Sequence, residues 1–132
     1  MTTSSSPTSS KRSTLKLYGI KGCDSVRKAV KFLKSAEIDF ELVDFRDRPV
    51  GCTTIGRWLE RTDMRTLFNG RGTTCRRLGL KPANLDESEK REWLCRENML
   101  IKRPVLERDD GTLVVGYDEE IYKELFNGQH HA

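Results

Sequence analysis

Apolar and polar residues alternate from Thr14 to Tyr18, placing Leu15 and Leu17 on one side of a segment closed by Gly19. A period of two over a short run predicts a half-buried strand. The rhythm then changes. Val26, Ala29, Val30, Leu33 and Ala36 recur at the three- and four-residue spacing of a helix, with Arg27, Lys28, Lys31 and Lys34 on the wet face. Asp24 and Ser25 are both good N-caps, so the helix is expected from one of them to Ala36. Phe40 to Phe45 (FELVDF) reads as a second strand. A strand, a helix and another strand make a βαβ unit, which implies parallel, right-handed pairing.

Beyond a polar connection from Arg46 to Gly51, Thr53 or Thr54 can cap a helix carrying Ile55, Trp58 and Leu59. Met64, Leu67 and Phe68 lead into the segment from Asn69 to Leu78, where glycines on both sides of Arg71 mark a loop and free its side chain to project. Asp86 to Asn98 reads as a helix with Trp93 and Leu94 inward. Leu100 to Glu107 is a third strand, interrupted by Pro104, which requires an edge, a bulge or a cis bond there. Asp109-Asp110-Gly111 predicts a hairpin turn into the strand Thr112 to Val115. Glu119 to Phe126 closes the domain as a helix with Ile121, Tyr122, Leu125 and Phe126 as its apolar face. The order β-α-β, two or three helices, β-β-α predicts an α/β, thioredoxin-like (glutaredoxin-like) fold: a four-stranded mixed sheet with a helical insertion.

At 132 residues the chain has the size of one domain. That domain is expected over residues 14–126, between a disordered tail at 1–13 and a flexible C-terminal tail at 127–132. The serine-rich tail has no apolar residue after Met1 and lacks the arginines and amphipathic pattern of a transit peptide. With 36% hydrophobic and 33% charged residues and no long apolar run, a soluble cytoplasmic protein, most simply a monomer, is expected, without a membrane partner. The net charge of +4 includes Lys11 and Arg12 of the tail, too little excess to argue for direct nucleic-acid binding.

The four cysteines, Cys23, Cys52, Cys75 and Cys95, form no CxxC, and His130 and His131 lie far from them at the C-terminus. No metal site is expected, because the close ligand pairs are missing. Without an export signal, free thiols are expected rather than disulfides. Cys52 sits in a linker and carries no signal, and Cys95, beside Trp93 and Leu94 in a helix, reads as buried and inert.

Cys23 is different, because it stands where the first strand turns into the first helix. A thiol there faces the unpaired N–H groups of the first turn and the positive end of the helix dipole, both of which favour thiolate. An ordinary cysteine of pKa about 8.5 is only a few per cent thiolate at pH 7. Position therefore makes Cys23 a candidate nucleophile, against the plainer reading of a small residue filling a turn. Two arginines suit an anionic partner beside it: Arg71 in the glycine-rich loop and Arg103 just before Pro104. Each taken singly reads as a solvated surface residue. In a thioredoxin-like fold a proline at that point packs against the cysteine loop.

Together, Tyr18-Gly-Ile-Lys-Gly-Cys-Asp-Ser-Val-Arg-Lys-Ala29, Asn69-Gly-Arg-Gly-Thr-Thr74 and Ile101-Lys-Arg-Pro-Val105 resemble the arsenate reductase (ArsC)/Spx family, nearest its YffB-type subgroup of arsenate-reductase-like proteins. Gly116-Tyr117 and the closing helix fit as well, and the likeness runs over residues 14–126. The resemblance implies that Cys23 is the nucleophile, that Arg71 and Arg103 hold an oxyanion, and that Pro104 is a cis-proline. Gly22, Asp24, Ser25 and Pro104 are then the substrate-binding residues around the thiol. It further implies a glutathione-dependent thiol reductase with no bound cofactor, glutathione or a small anionic molecule as its partner, and a glutaredoxin as a further partner.

The chain departs from the family at two places. Where the glutaredoxin-coupled arsenate reductases carry a third arginine, this chain has Gly116-Tyr117, which weakens the case for arsenate. Where redox-switched Spx regulators complete a CxxC, it has Val26, so the chemistry at Cys23 is monothiol. A non-enzymatic Spx-like regulator that binds the RNA polymerase α subunit is the competing class. Cys75, which shares the loop with Arg71, is the candidate to resolve an oxidised Cys23, against a packing role.

Overall fold

The computed structural model describes residues 15–130, with side chains through Phe126; the expected tail at 1–13, the strand start at Thr14 and residues 131–132 lie outside them. Four strands, β1 (Lys16–Gly19), β2 (Glu41–Asp44), β3 (Val105–Glu107) and β4 (Leu113–Val115), form one sheet in the order β2-β1-β3-β4. β1 pairs in parallel with β2 across helix α1 (Asp24–Ser35), while β3 lies antiparallel to both β1 and β4. The expected thioredoxin-like mixed sheet is the one observed.

Period-two alternation divides the sheet's two faces. Leu17 pairs with Leu106, and both join Ala29, Leu33, Tyr122 and Phe126 under α1 and the closing helix α6 (Glu119–His130). Tyr18 pairs with Val43 and Val105, and these face the helical insertion through Ile55, Trp58, Leu67 and Leu94. Each fully buried aliphatic side chain in these layers contributes about 1.5–3 kcal/mol from burial. The insertion consists of α2 (Cys52–Leu59), α3 (Met64–Leu67), α4 (Thr73–Arg77) and α5 (Glu87–Arg96). Asp86 caps α5 in a reciprocal capping box with Glu89.

Several expectations change. The apolar run from Leu100 is not strand: Asn98–Leu100 is a 3-10 turn, Ile101 makes an isolated bridge with Phe68, and the ladder begins only after the cis Arg103–Pro104 bond. α4 forms inside the segment expected to be loop, starting at Thr73 with Gly72 as its N-cap. The closing helix continues past Phe126 to His130, and Ile121 turns outward at 46% exposure, leaving Tyr122 and Phe126 to pack. Trp58 is fully buried, whereas Trp93 is partly covered, with Arg96 over its ring at 5.1 Å.

The cysteines also need correcting. Cys52 and Cys95 form a disulfide, with their Cα atoms 5.0 Å apart. Cys52 therefore does carry a structural signal, and Cys95 is neither free nor fully buried. Packing brings the N-terminus of α2 to the C-terminus of α5, across a sequence separation of 43 that no spacing rule anticipates. Among the described residues no helix is long and apolar enough to cross a membrane, and no cluster of potential metal ligands occurs.

Candidate functional site

The site is built on the exit from β1. Gly19 ends the strand against α1: a Cβ there would lie 2.5 Å from Cγ2 of Val26, so only glycine permits this approach of helix to strand. The chain then turns tightly, with Cys23 N–H donating to the Ile20 carbonyl at 3.2 Å. Cys23, rather than Asp24 or Ser25, is the N-cap of α1, in extended backbone (φ −82°, ψ 132°) with its carbonyl accepting from Arg27 N–H at 2.9 Å. A cap residue with no hydroxyl or carboxylate leaves the first-turn N–H groups facing sulfur instead of oxygen.

Three groups meet that sulfur. Burial pushes the Cys23 thiol up, but the N–H groups of Val26 and Ser25 and the guanidinium of Arg103 outweigh it and hold the pKa below the ordinary value. As observed, the side chain closes no capping hydrogen bond; the charged form gains from these donors. Cys23 is half-buried, so a reactant can reach it.

Arg103 is held from behind. Its Nη1 donates to the carbonyl of Met99 at 2.8 Å and, more weakly, to that of Ile101 at 3.4 Å, both beside the 3-10 turn Asn98–Leu100. Its Nε is buried and has no acceptor among the described residues. Pro104, buried and cis-linked to Arg103, accepts from Gly116 N–H at 2.7 Å, which ties this corner to β4.

The other sequence-derived candidates lie differently. Arg71 is exposed and lines a cleft of about 710 Å³ with Phe68, Asn69, Lys90 and Lys102, a cleft that includes neither Cys23 nor Arg103. Asp24 is exposed and ion-paired to Arg27 in the first turn, and Gly22 is exposed with open space around it. Ser25 contributes its backbone N–H to the sulfur. Cys75 is buried at 1% exposure, its thiol donating to the Leu80 carbonyl at 3.6 Å, which favours packing over resolution.

Two positioning residues escaped the sequence reading. Asp44, at the end of β2 and 7% exposed, accepts from Lys21 N–H at 3.1 Å and Arg46 N–H at 2.8 Å, which anchors the loop before Cys23. Burial raises its pKa, and the N–H groups of Arg46 and Lys21 more than reverse that. Its bond to the residue two positions on is an Asx turn, a signal present in the DFRDRP segment. Asn98 opens the turn whose Met99 carbonyl carries Arg103.

Comparison with known proteins places these features. A family model described as "ArsC family" matches residues 18–125. The structure of a YffB protein superposes with a TM-score of 0.76 at 32% identity, covering 84% of this chain and 97% of the other. An arsenate reductase (ArsC) related protein from Brucella melitensis gives 0.69 at 34% identity, over 86% of this chain and 94% of its own. The global transcriptional regulator Spx of Lactiplantibacillus plantarum is 27% identical over 106 residues, 79% of this chain and 80% of that protein.

Proposed function

The chain belongs to the ArsC family, and on that premise we propose that it is a monothiol oxidoreductase, a glutathione-dependent thiol reductase with Cys23 as its nucleophile. One observation carries this reading: the Cys23 sulfur sits at the N-cap of α1 with the Arg103 guanidinium facing it. The thiolate attacks one sulfur of a disulfide substrate, and the electron pair of the broken bond leaves on the other sulfur. A second thiolate, from glutathione itself or from a glutaredoxin, then attacks the substrate's sulfur in the mixed disulfide and releases Cys23 as thiolate.

Arg103 serves both steps by stabilising the sulfur anion that enters and the one that leaves. Arg71 receives an anionic group of the substrate, such as a glutathione carboxylate, from the cleft it lines. Gly22, next to Cys23 in the chain, has open space around it, and Ser25 offers its N–H to the sulfur. Arsenate is the weaker substrate, because Arg103 faces the Cys23 sulfur while Arg71 lines a separate cleft, and Gly116-Tyr117 stands where a third arginine would serve the oxyanion.

The likeness to Spx favours a second reading, a regulator that binds the RNA polymerase α subunit without turnover. Val26 removes an intramolecular CxxC switch but not a partner-binding surface. A chemical-shift titration with glutathione separates the two. Perturbations around Cys23, Arg71 and Arg103, with disulfide turnover abolished by Cys23→Ser, are expected. No response at these residues, with capture of the polymerase α subunit, would overturn the reductase reading.

A further inference from the structure

The Cys52–Cys95 bond lies outside the Cys23 site and has its own approach. A cleft of about 250 Å³ is lined by Cys95 with Arg46, Pro49, Arg96, Glu97 and Asn98. Two arginines against one glutamate make its lining net cationic, with the Arg96 guanidinium over the neighbouring Trp93 ring. Cys52, on the other side of the bond, is the first residue of α2, an eight-residue helix whose N-cap Gly51 offers no side chain to its free N–H groups. A thiolate at Cys52 is stabilised there by those groups and by the helix dipole, which makes Cys52 the better leaving group of the pair.

We propose that Cys52–Cys95 is a second thiol–disulfide exchange centre, opened by a low-molecular-weight anionic thiol that enters along the Arg46–Arg96 cleft and attacks Cys95. The incoming thiolate bonds to Cys95 Sγ, the protein S–S bond breaks, and its electron pair leaves on Cys52 Sγ. A second thiolate attacks the small-molecule sulfur of the Cys95 adduct and frees Cys95. In sum, two thiols are oxidised to one disulfide and the protein disulfide is reduced to two thiols.

The surrounding structure keeps this exchange reversible. Val50 N–H donates to Asn98 Oδ1 at 2.7 Å and Asn98 Nδ2 donates to the Val50 carbonyl at 3.0 Å, joining the same two segments without sulfur. With the bond open, these contacts hold both thiols within reach of each other.

The test uses the full chain carrying Cys23→Ser, with Cys23→Ala as a second background should the first fold poorly. It is exposed to 2-mercaptoethanesulfonate, 2-mercaptoethanol and 2-mercaptoethylamine at equal thiolate concentration, and adducts are mapped by mass spectrometry. The anionic thiol is expected to open the bond about tenfold faster than the cationic one, with the first adduct on Cys95. Arg46→Gln with Arg96→Gln is expected to remove that order, while circular dichroism stays native after opening. Equal rates for the three thiols, a first adduct on Cys52, or opening only in denaturing urea would overturn the proposal. Because Cys23 is absent throughout, the outcome is independent of the reductase reading.

Discussion

Asn98 grips both backbone polar groups of Val50, accepting from its N–H at 2.7 Å and donating to its carbonyl at 3.0 Å. The same Nδ2 also donates to the Leu94 carbonyl at 3.0 Å, so a buried amide is fully engaged. The next residue, Met99, supplies the carbonyl that steadies Arg103. Asn98→Ala leaves these buried partners without bonds and is expected to cost about 3 kcal/mol in urea unfolding. It should also slow Cys23 alkylation at neutral pH, because the Arg103 anchor loosens. Unchanged alkylation would confine Asn98 to stability.

The close approach of strand and helix at Gly19 gives a second expectation. Gly19→Ala forces a methyl group onto Val26, which is itself 1% exposed, and overpacking of this kind costs about 1–3 kcal/mol. Because the shift falls on the first turn of α1, Cys23 reactivity should drop as well. Thermal unfolding and alkylation rates on the same variant check both effects.

Asp44 ties pH to the geometry of the Cys23 loop. Its folded pKa is depressed, so its contribution is fully present above the unfolded value of about 3.9 and is lost as pH falls through the lower folded value. Asp44→Asn should remove this acid dependence and cost about 1–3 kcal/mol at pH 7, since a neutral amide satisfies the Lys21 and Arg46 N–H groups less well. Stability measured by denaturant from pH 2 to pH 7 on both proteins decides it.

Much of this architecture was legible in the pattern of the chain. Leu17 and Tyr18 alternate into opposite cores, and Val26, Ala29 and Leu33 form the buried stripe of α1, because each period reports one buried face. The cysteine at the helix start was also legible, as a thiol between a strand and an amphipathic segment. What escaped depended on tertiary packing. Leu100 and Ile101 are as apolar as strand residues, yet they fill the core from a 3-10 turn and a single bridge. Cys52 and Cys95 meet only because α2 and α5 pack side by side in antiparallel, with Gly56 against the Arg91 side chain further along. Arg71 follows a glycine-rich signal for projection, but the signal does not say into which cleft.

Cys75 offers a simple separation of packing from chemistry. Buried and bonded to the Leu80 carbonyl, it should tolerate Cys75→Ala at about 1 kcal/mol in stability with turnover intact. A loss of turnover with native stability would instead make it the resolving thiol.

The start of α1 and the Arg103 guanidinium together hold the Cys23 thiol below the ordinary cysteine pKa. Cys75 is buried and Cys52 and Cys95 are bonded, so among the described thiols Cys23 is the one open to alkylation. The direct measurement is therefore the rate of iodoacetamide alkylation against pH, in the native protein and in Arg103→Ala. An apparent pKa below the ordinary cysteine value of about 8.5 is expected, rising when Arg103 is removed. A value at or above about 8.5, unmoved by Arg103→Ala, would contradict it.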